Sequence, residues 1–335
     1  MITQKDISIA CGVSLATVSK ALSGQADIGE QTALHIREVA RSMGYLPNAA
    51  ARALKTNRSH NIGILFVDST SCGLRHEYFS EIIDSLKVQS ESLGYDVTFI
   101  SCNIGNQPMT YYEHAKYRNC DGVIIASVDF KDANVIQLAQ SELPVVAIDY
   151  VFDNRTSILS DNISGMQDIV QHVYDKGHRR IAIIHGEDTS VTQKRIASFR
   201  KACSERRLEL PEEYIKGARY HDPKSSGLAT RELLALHERP SCILYPDDFS
   251  FIGGMNEIEH SGLSIPGDIS VVGYDGILLS QVLRPRLTTY RQDAVTIGAK
   301  AAEAMVEAIE HPKTHLPQQI VVTGSLWKGE TVRSI

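Results

Sequence analysis

From about residue 60 onward, short apolar, β-branched runs alternate with longer stretches whose apolar positions keep helical spacing. The strand-like runs include NIGILFVD (61–68), YDVTFIS (95–101), DGVIIAS (121–127), PVVAID (144–149), RIAIIHG (180–186), SCILYPD (241–247) and ISVVGYD (269–275). Helical stretches at 78–93, 163–176, 194–206, 248–261 and 294–310 intervene. Such alternation predicts parallel sheets covered by helices, and the number of units predicts two sheets. Ligands of open parallel sheets bind beyond the carboxyl ends of the strands.

The first sixty residues follow a different rule, because their apolar spacing is helical throughout. Thr3 and Asp6 form a capping-box pattern, and Ile7, Ala10 and Cys11 then give one apolar stripe that stops at Gly12. Ser14 is the expected N-cap of a second helix, with Val13 and Val18 as a hydrophobic staple. On that helix Val18, Ala21 and Leu22 share one face, while Ala16, Ser19 and Lys20, flanked by Leu15 and Thr17, look outward. A third helix is expected near Glu30 to Met43, with Ala33, Ile36, Val39, Ala40 and Met43 on its inner side. Two short helices joined by a tight glycine turn and packed on a third are a helix-turn-helix arrangement. Small side chains at the start of the second helix permit close approach to a major groove. Ser14, Thr17 and Ser19 are then placed for phosphates, and Leu15, Ala16 and Lys20 for base edges.

Charge supports that division. The chain carries a net −6, yet residues 1–60 hold seven Lys or Arg against four acids, +3, which leaves −9 for the remainder. The small N-terminal part is thus the piece suited to approach phosphate. No basic, then apolar, leader opens the sequence, no apolar run approaches the roughly 18 residues of a membrane span, and the cysteines at 11, 72, 102, 120, 203 and 242 include no CxxC pair. A cytoplasmic protein with reduced thiols is expected, with no membrane association.

Strand ends of the large part carry Asp68, Asp149, Asp247, Asp248 and Asp275. Carboxylates there can accept from the hydroxyls of a polyol. Each also has a simpler use in a turn, and Asp248 could N-cap the helix that follows. Catalysis is not expected: GxxxxGK[ST], GxSxG, HExxH and GxGxxG are all missing. The histidines form no spaced ligand set, so His178 in GHRR reads as structural, and no cofactor is called for. Adjacent acids in YPDD are compatible with a divalent cation, the one metal reading the sequence offers.

The segments TQKDISIACGVSLATVSKALSG, GYLPNAAARAL, GHRRIAIIHG and DISVVGYDG resemble the LacI/GalR (lactose-repressor/galactose-repressor) family of bacterial transcription regulators, in the same order along essentially the whole chain. The resemblance implies a small all-α helix-turn-helix domain joined to an α/β, periplasmic-binding-protein-like domain of two Rossmann-like lobes with parallel sheets. It implies residues 1–46 as DNA reader, 47–60 as a hinge helix and 61–335 as effector-binding and dimerisation domain. Lobe 1 would hold about 61–160 plus 291–320, and lobe 2 about 161–290 plus 321–335. The hinge helix would form on DNA and press Leu54, with Ala51 and Arg52 beside it, into the minor groove, kinking the duplex.

Carried over residue by residue, the resemblance places Arg195 of RIASF, Asp275 of GYD, Asp149 and Asp247 in the effector cleft. Ser198 replaces the family's usual glycine, and the family often has Asn before Asp at the position of Asp247. HEYF (76–79) stands where Asn-Pro-Phe-Phe is common, leaving Tyr78 and Phe79 as stacking surfaces. The implied protein is a homodimeric repressor of near-palindromic operator DNA, controlled by a small polar effector, most simply a sugar. A nucleobase or amino compound is the alternative effector. A transported-solute receptor is the competing class, disfavoured by the DNA reader and the missing leader.

Overall fold

The computed structural model describes residues 2–24, 27–46, 58–67 and 73–335, and the chain divides into two compact units, Met1–Ser59 and His60–Ile335. In the first unit α1 (Gln4–Cys11) starts at a true capping box, the Thr3 hydroxyl accepting from Asp6 N–H and the Asp6 carboxylate from Thr3 N–H. It stops at Gly12, whose φ of 63° lies in the left-handed region where a side chain would be strained. The next helix, α2 (Leu15–Leu22), is capped by Ser14, which accepts from Thr17 N–H, and α3 (Glu30–Ser42) follows. Ile7, Val18, Ala21, Ala33, Ile36 and Ala40 form the core, with Val13, Leu22 and Met43 packed on it. Ala10 departs from expectation: it is exposed, because Ile7 and Cys11, one turn apart, make the contact of this two-turn helix. Arg37 Nε donates to Ala21 O at 3.1 Å, so α3 braces the end of α2.

Two six-stranded sheets and a two-stranded ribbon, β3 (Asn103–Ile104) with β4 (Gln107–Pro108), build the second unit. The first runs β13 (Gln319–Val322), β7 (Thr156–Ser160), β6 (Val145–Ile148), β5 (Gly122–Ser127), β1 (Asn61–Phe66), β2 (Asp96–Ile100), all parallel. The second runs β14 (Ser325–Trp327), β12 (Thr288–Arg291), β11 (Ser270–Asp275), β10 (Cys242–Leu244), β8 (Ile181–His185), β9 (Ile215–Gly217), with only β14 antiparallel. Central strands are covered on both faces, so β1 sends Ile62 and Ile64 to one core and Leu65 to another. That double burial is why they read as unbroken apolar runs.

The chain passes between the sheets three times, after Ser160, after Arg291 and after Val322. Val321 and Val322 belong to the first sheet through β13, not to the second lobe as the expected partition had it. The long helix Ala294–Glu310 returns to the first sheet and crosses the helix Glu77–Ser92 at Gly298. A Cβ there would lie 2.3 Å from Ile82 O, so only glycine allows this approach.

His178 is fully buried beneath the C-terminal strap, one ring nitrogen 2.8 Å from Ser241 Oγ and the other 3.1 Å from Arg333 O. Burial lowers its pKa. The unfolded chain takes up a proton near pH 6.5 that the folded unit resists, so stability present above that pH is lost as pH falls through it. Measured by urea unfolding, the stability difference between wild type and His178→Gln should therefore shrink from pH 7.5 to pH 5.5.

Candidate functional site

The outward face of α2 has the expected composition. Leu15 is half exposed and Ala16 exposed, giving a small apolar tip, with Thr17, Ser19 and Lys20 partly covered behind it. The Ser14 and Thr17 hydroxyls are 2.8 Å apart, so the cap and the Thr17 hydroxyl are coupled. Lys20 pairs with Asp27. Ala51, Arg52, Leu54 and Asp68 lie outside the described residues.

In the second unit the carboxyl ends of the two sheets face a common space. Asp149, after β6, accepts from Ser160 N–H at 2.7 Å and from the Ser160 hydroxyl at 3.1 Å, and Tyr78 OH reaches it at 3.4 Å. Its backbone carbonyl accepts from Ser190 of the other lobe. Arg195, on the helix Ser190–Glu205, is buried: Nε donates to Asn162 Oδ1 at 2.7 Å and Nη1 to Pro246 O at 2.9 Å. Its guanidinium carbon lies 3.5 Å from the Tyr274 ring centroid and 5.8 Å from that of Tyr220. Nη2 makes no hydrogen bond among the described residues, which leaves a charged donor for a ligand. Asp275 completes the set, accepting from Gln292 Nε2 at 2.7 Å.

Asp149, Asp275 and His221 all sit at positive φ, 57°, 97° and 53°, where non-glycine residues are strained. His60, Asn119, Asn154 and Arg207 share that conformation elsewhere in the chain. Burial pushes the Asp275 carboxyl up to about 7, with Asp247 and Asp149 adding to the rise and Arg195 and Gln292 opposing it. Burial likewise raises Asp149 against its Ser160 hydrogen bonds and Arg195.

Other acids are used internally. Asp247 accepts from Ser250 N–H at 2.7 Å, from the Ser250 hydroxyl at 2.7 Å and from His221 N–H at 2.8 Å, so its carboxylate shapes the loop that carries His221. Asp248 does not cap the helix Phe251–His260. It accepts from Thr289 Oγ1 at 2.6 Å and Ile277 N–H at 2.9 Å, and Gly273 makes room for it, since a Cβ there would lie 2.1 Å from Asp248 Oδ1. The two carboxylates of YPDD thus serve different partners, and among the described residues no group of three or more His, Cys, Asp or Glu could hold a metal.

Aromatic rings cross the cleft. Phe66, Phe79 and His76 of the first lobe continue into His221 and Phe249 of the second, with successive centroids 5.5, 4.9, 4.3 and 4.0 Å apart. Phe79 is therefore a packing member of that column and of the first core, whereas Tyr78 points its hydroxyl at Asp149. Glu77 Oε1 also accepts from Leu278 N–H across the lobes. Sequence reading missed Asn162, Tyr220, His221, Tyr274 and Gln292. Tyr274 stands beside Asp275 within GYD, but nothing local marks Gln292, or Asn162 as the partner of Arg195.

A three-helix DNA-reading head followed by two parallel sheets with an arginine-and-acid cleft defines a DNA-binding transcription regulator with an effector-binding domain. Comparison gives the family. Residues 3–48 match the model of "Bacterial regulatory proteins, lacI family" and residues 170–332 that of a "Periplasmic binding protein-like domain". The chain is 32% identical over 319 residues to "Probable HTH-type transcriptional repressor ExuR" of Bacillus subtilis, covering 94% of this chain and 93% of that protein. It is 30% identical over 342 residues to the HTH-type transcriptional repressor PurR of Vibrio cholerae, covering 100% and 99%. Among solved structures, the lac repressor dimer bound to operator and the anti-inducer ONPF shares the fold with a TM-score of 0.80 at 24% identity, covering 99% of each chain. The CelR–cellobiose complex does so with 0.72 at 22%, covering 99% of this chain and 100% of that one. This chain belongs to the lacI family of bacterial regulatory proteins and is not an enzyme. No helix among the described residues is long and apolar enough to cross a membrane.

An effector hydroxyl that donates to Asp275 bonds the ionised carboxylate more strongly than the neutral acid. With a carboxyl that titrates at about 7, affinity for such a ligand should rise as pH goes from 6 to 8 and level off above. Calorimetry across that range on wild type and Asp275→Asn checks it; the variant should bind weakly and without the slope.

Proposed function

We propose that the protein represses transcription in the cytoplasm as a homodimer on a near-palindromic operator, and that a small polyhydroxylated molecule, most simply a neutral sugar, controls it from the cleft. The observation that carries the effector reading is the open Nη2 of buried Arg195 among the Asp149 and Asp275 carboxylates. That arrangement offers both a donor and acceptors to vicinal hydroxyls and disfavours a phosphorylated ligand, which the acids would repel. In the head, Ser14, Thr17 and Ser19 take phosphates while Leu15, Ala16 and Lys20 meet base edges. Two heads are needed because one small module has too little interface for tight specific binding. A planar nitrogen heterocycle is the second effector reading, favoured by the near-parallel His221 and Phe249 rings, 11° apart in plane.

Effector and operator are then linked reciprocally: each alters the affinity of the other by one common factor. A thermal-shift screen against mono- and disaccharides, polyols, amino sugars and nucleobases identifies the ligand class by its stabilising hit. With that hit, Arg195→Ala should lose affinity at least tenfold, about 1.4 kcal/mol, in calorimetry while retaining effector-free DNA binding. Effector binding untouched by the change would remove Arg195 from the site. Leu54→Ala should weaken binding to a duplex selected by the wild-type protein much more than to a scrambled one, because it removes the minor-groove wedge. Equal loss on both duplexes would refute that role.

A further inference from the structure

The helix LATVSKAL contains a single charged side chain, and the structure does not leave that charge uncompensated. Lys20 Nζ lies 2.5 Å from Asp27 Oδ2, with the two side chains 45% and 55% exposed. Asp27 comes after the end of α2 and before α3, so the ion pair joins the reading helix to the following loop. The neighbouring α3 cation Arg37 is exposed and donates through Nε to the Ala21 carbonyl. The face proposed to enter the groove thus presents a compensated lysine.

Physical consequences differ for phosphate and for base. A polyanion attracts a lone ammonium at long range, and phosphate contact releases condensed counterions whatever the sequence. It attracts a lysine–carboxylate pair far less, because the pair has no net charge and the acid is itself repelled. A base-edge acceptor works at short range, through a hydrogen bond that guanine O6 or N7 offers in one geometry. An exposed pair is weak enough to be exchanged for such a bond.

We propose that Asp27 is a specificity-determining residue of the head: it holds Lys20 in a neutral pair, discounting sequence-independent phosphate attraction so that the lysine commits where a base acceptor replaces the carboxylate. This rests on the reading of α2 as the groove-facing helix. Asp27 acts through Lys20 and is a positioning residue, not itself a DNA contact.

The test uses the full-length protein and fluorescence anisotropy, with a duplex selected by the wild-type protein from a randomised library, its single-base variants, and a scrambled duplex of the same composition. Asp27→Asn should tighten scrambled-duplex binding several-fold at about 0.1 M salt and steepen its log-affinity against log-salt slope by up to about 0.9 per subunit. It should also erode discrimination at the base pairs that Lys20→Ala alters and at no others, with no further erosion in the double variant. Asp27→Glu, which can still pair, should keep wild-type discrimination. A uniform shift across all duplexes, or no shift at all, overturns the proposal. If Lys20→Ala leaves every base preference unchanged, the reading of α2 fails and the proposal with it. Altered preferences in Lys20→Ala with none in Asp27→Asn sink the proposal alone.

Discussion

The buried guanidinium of Arg195, hydrogen-bonded to two separate stretches of the chain, is the interaction on which the geometry at the strand ends of the second unit depends. Its fixed bonds run to Asn162, just past the first passage between sheets, and to the Pro246 carbonyl after β10. A cation so placed must be compensated, because an unpaired buried charge is very costly. The charges of Asp149, after β6, and Asp275, at the end of β11, act on it electrostatically. Neither is fully balanced in return, as the upward shifts of both carboxyls show.

The same economy operates in the head on a smaller scale. Its core consists of a few side chains from three helices, and the polar groups at helix starts are spent on caps. What α2 leaves exposed or half-exposed is a small apolar tip, hydroxyls and one paired lysine. Such a surface favours shape and hydrogen-bond fit over charge attraction, consistent with an otherwise acidic chain.

Much of this was legible in the sequence, for identifiable reasons. Central strands are buried on both faces and so stand out as apolar runs, and the capping residues Thr3, Asp6 and Ser14 bond as their spacing demands. Edge strands such as β9 and β14, three residues each, carry no such pattern and were not anticipated. Strand-end acids could be located but not sorted. Whether a carboxylate meets a side-chain amide, like Asp275, or backbone N–H groups, like Asp247 and Asp248, depends on loops far away in sequence. The His76–His221 contact is wholly tertiary, and no local signal marks it.

The three passages between sheets have a mechanical consequence. Each lobe is assembled from separated stretches of chain, so neither can be cut out as one continuous piece, and cleavage at any single passage leaves two tethers. Relative motion is restricted to turns that all three segments tolerate together, as a door hung on three pins can swing but not slide. A bound molecule at the cleft thereby selects among few orientations, which makes a small displacement there reproducible at a distance.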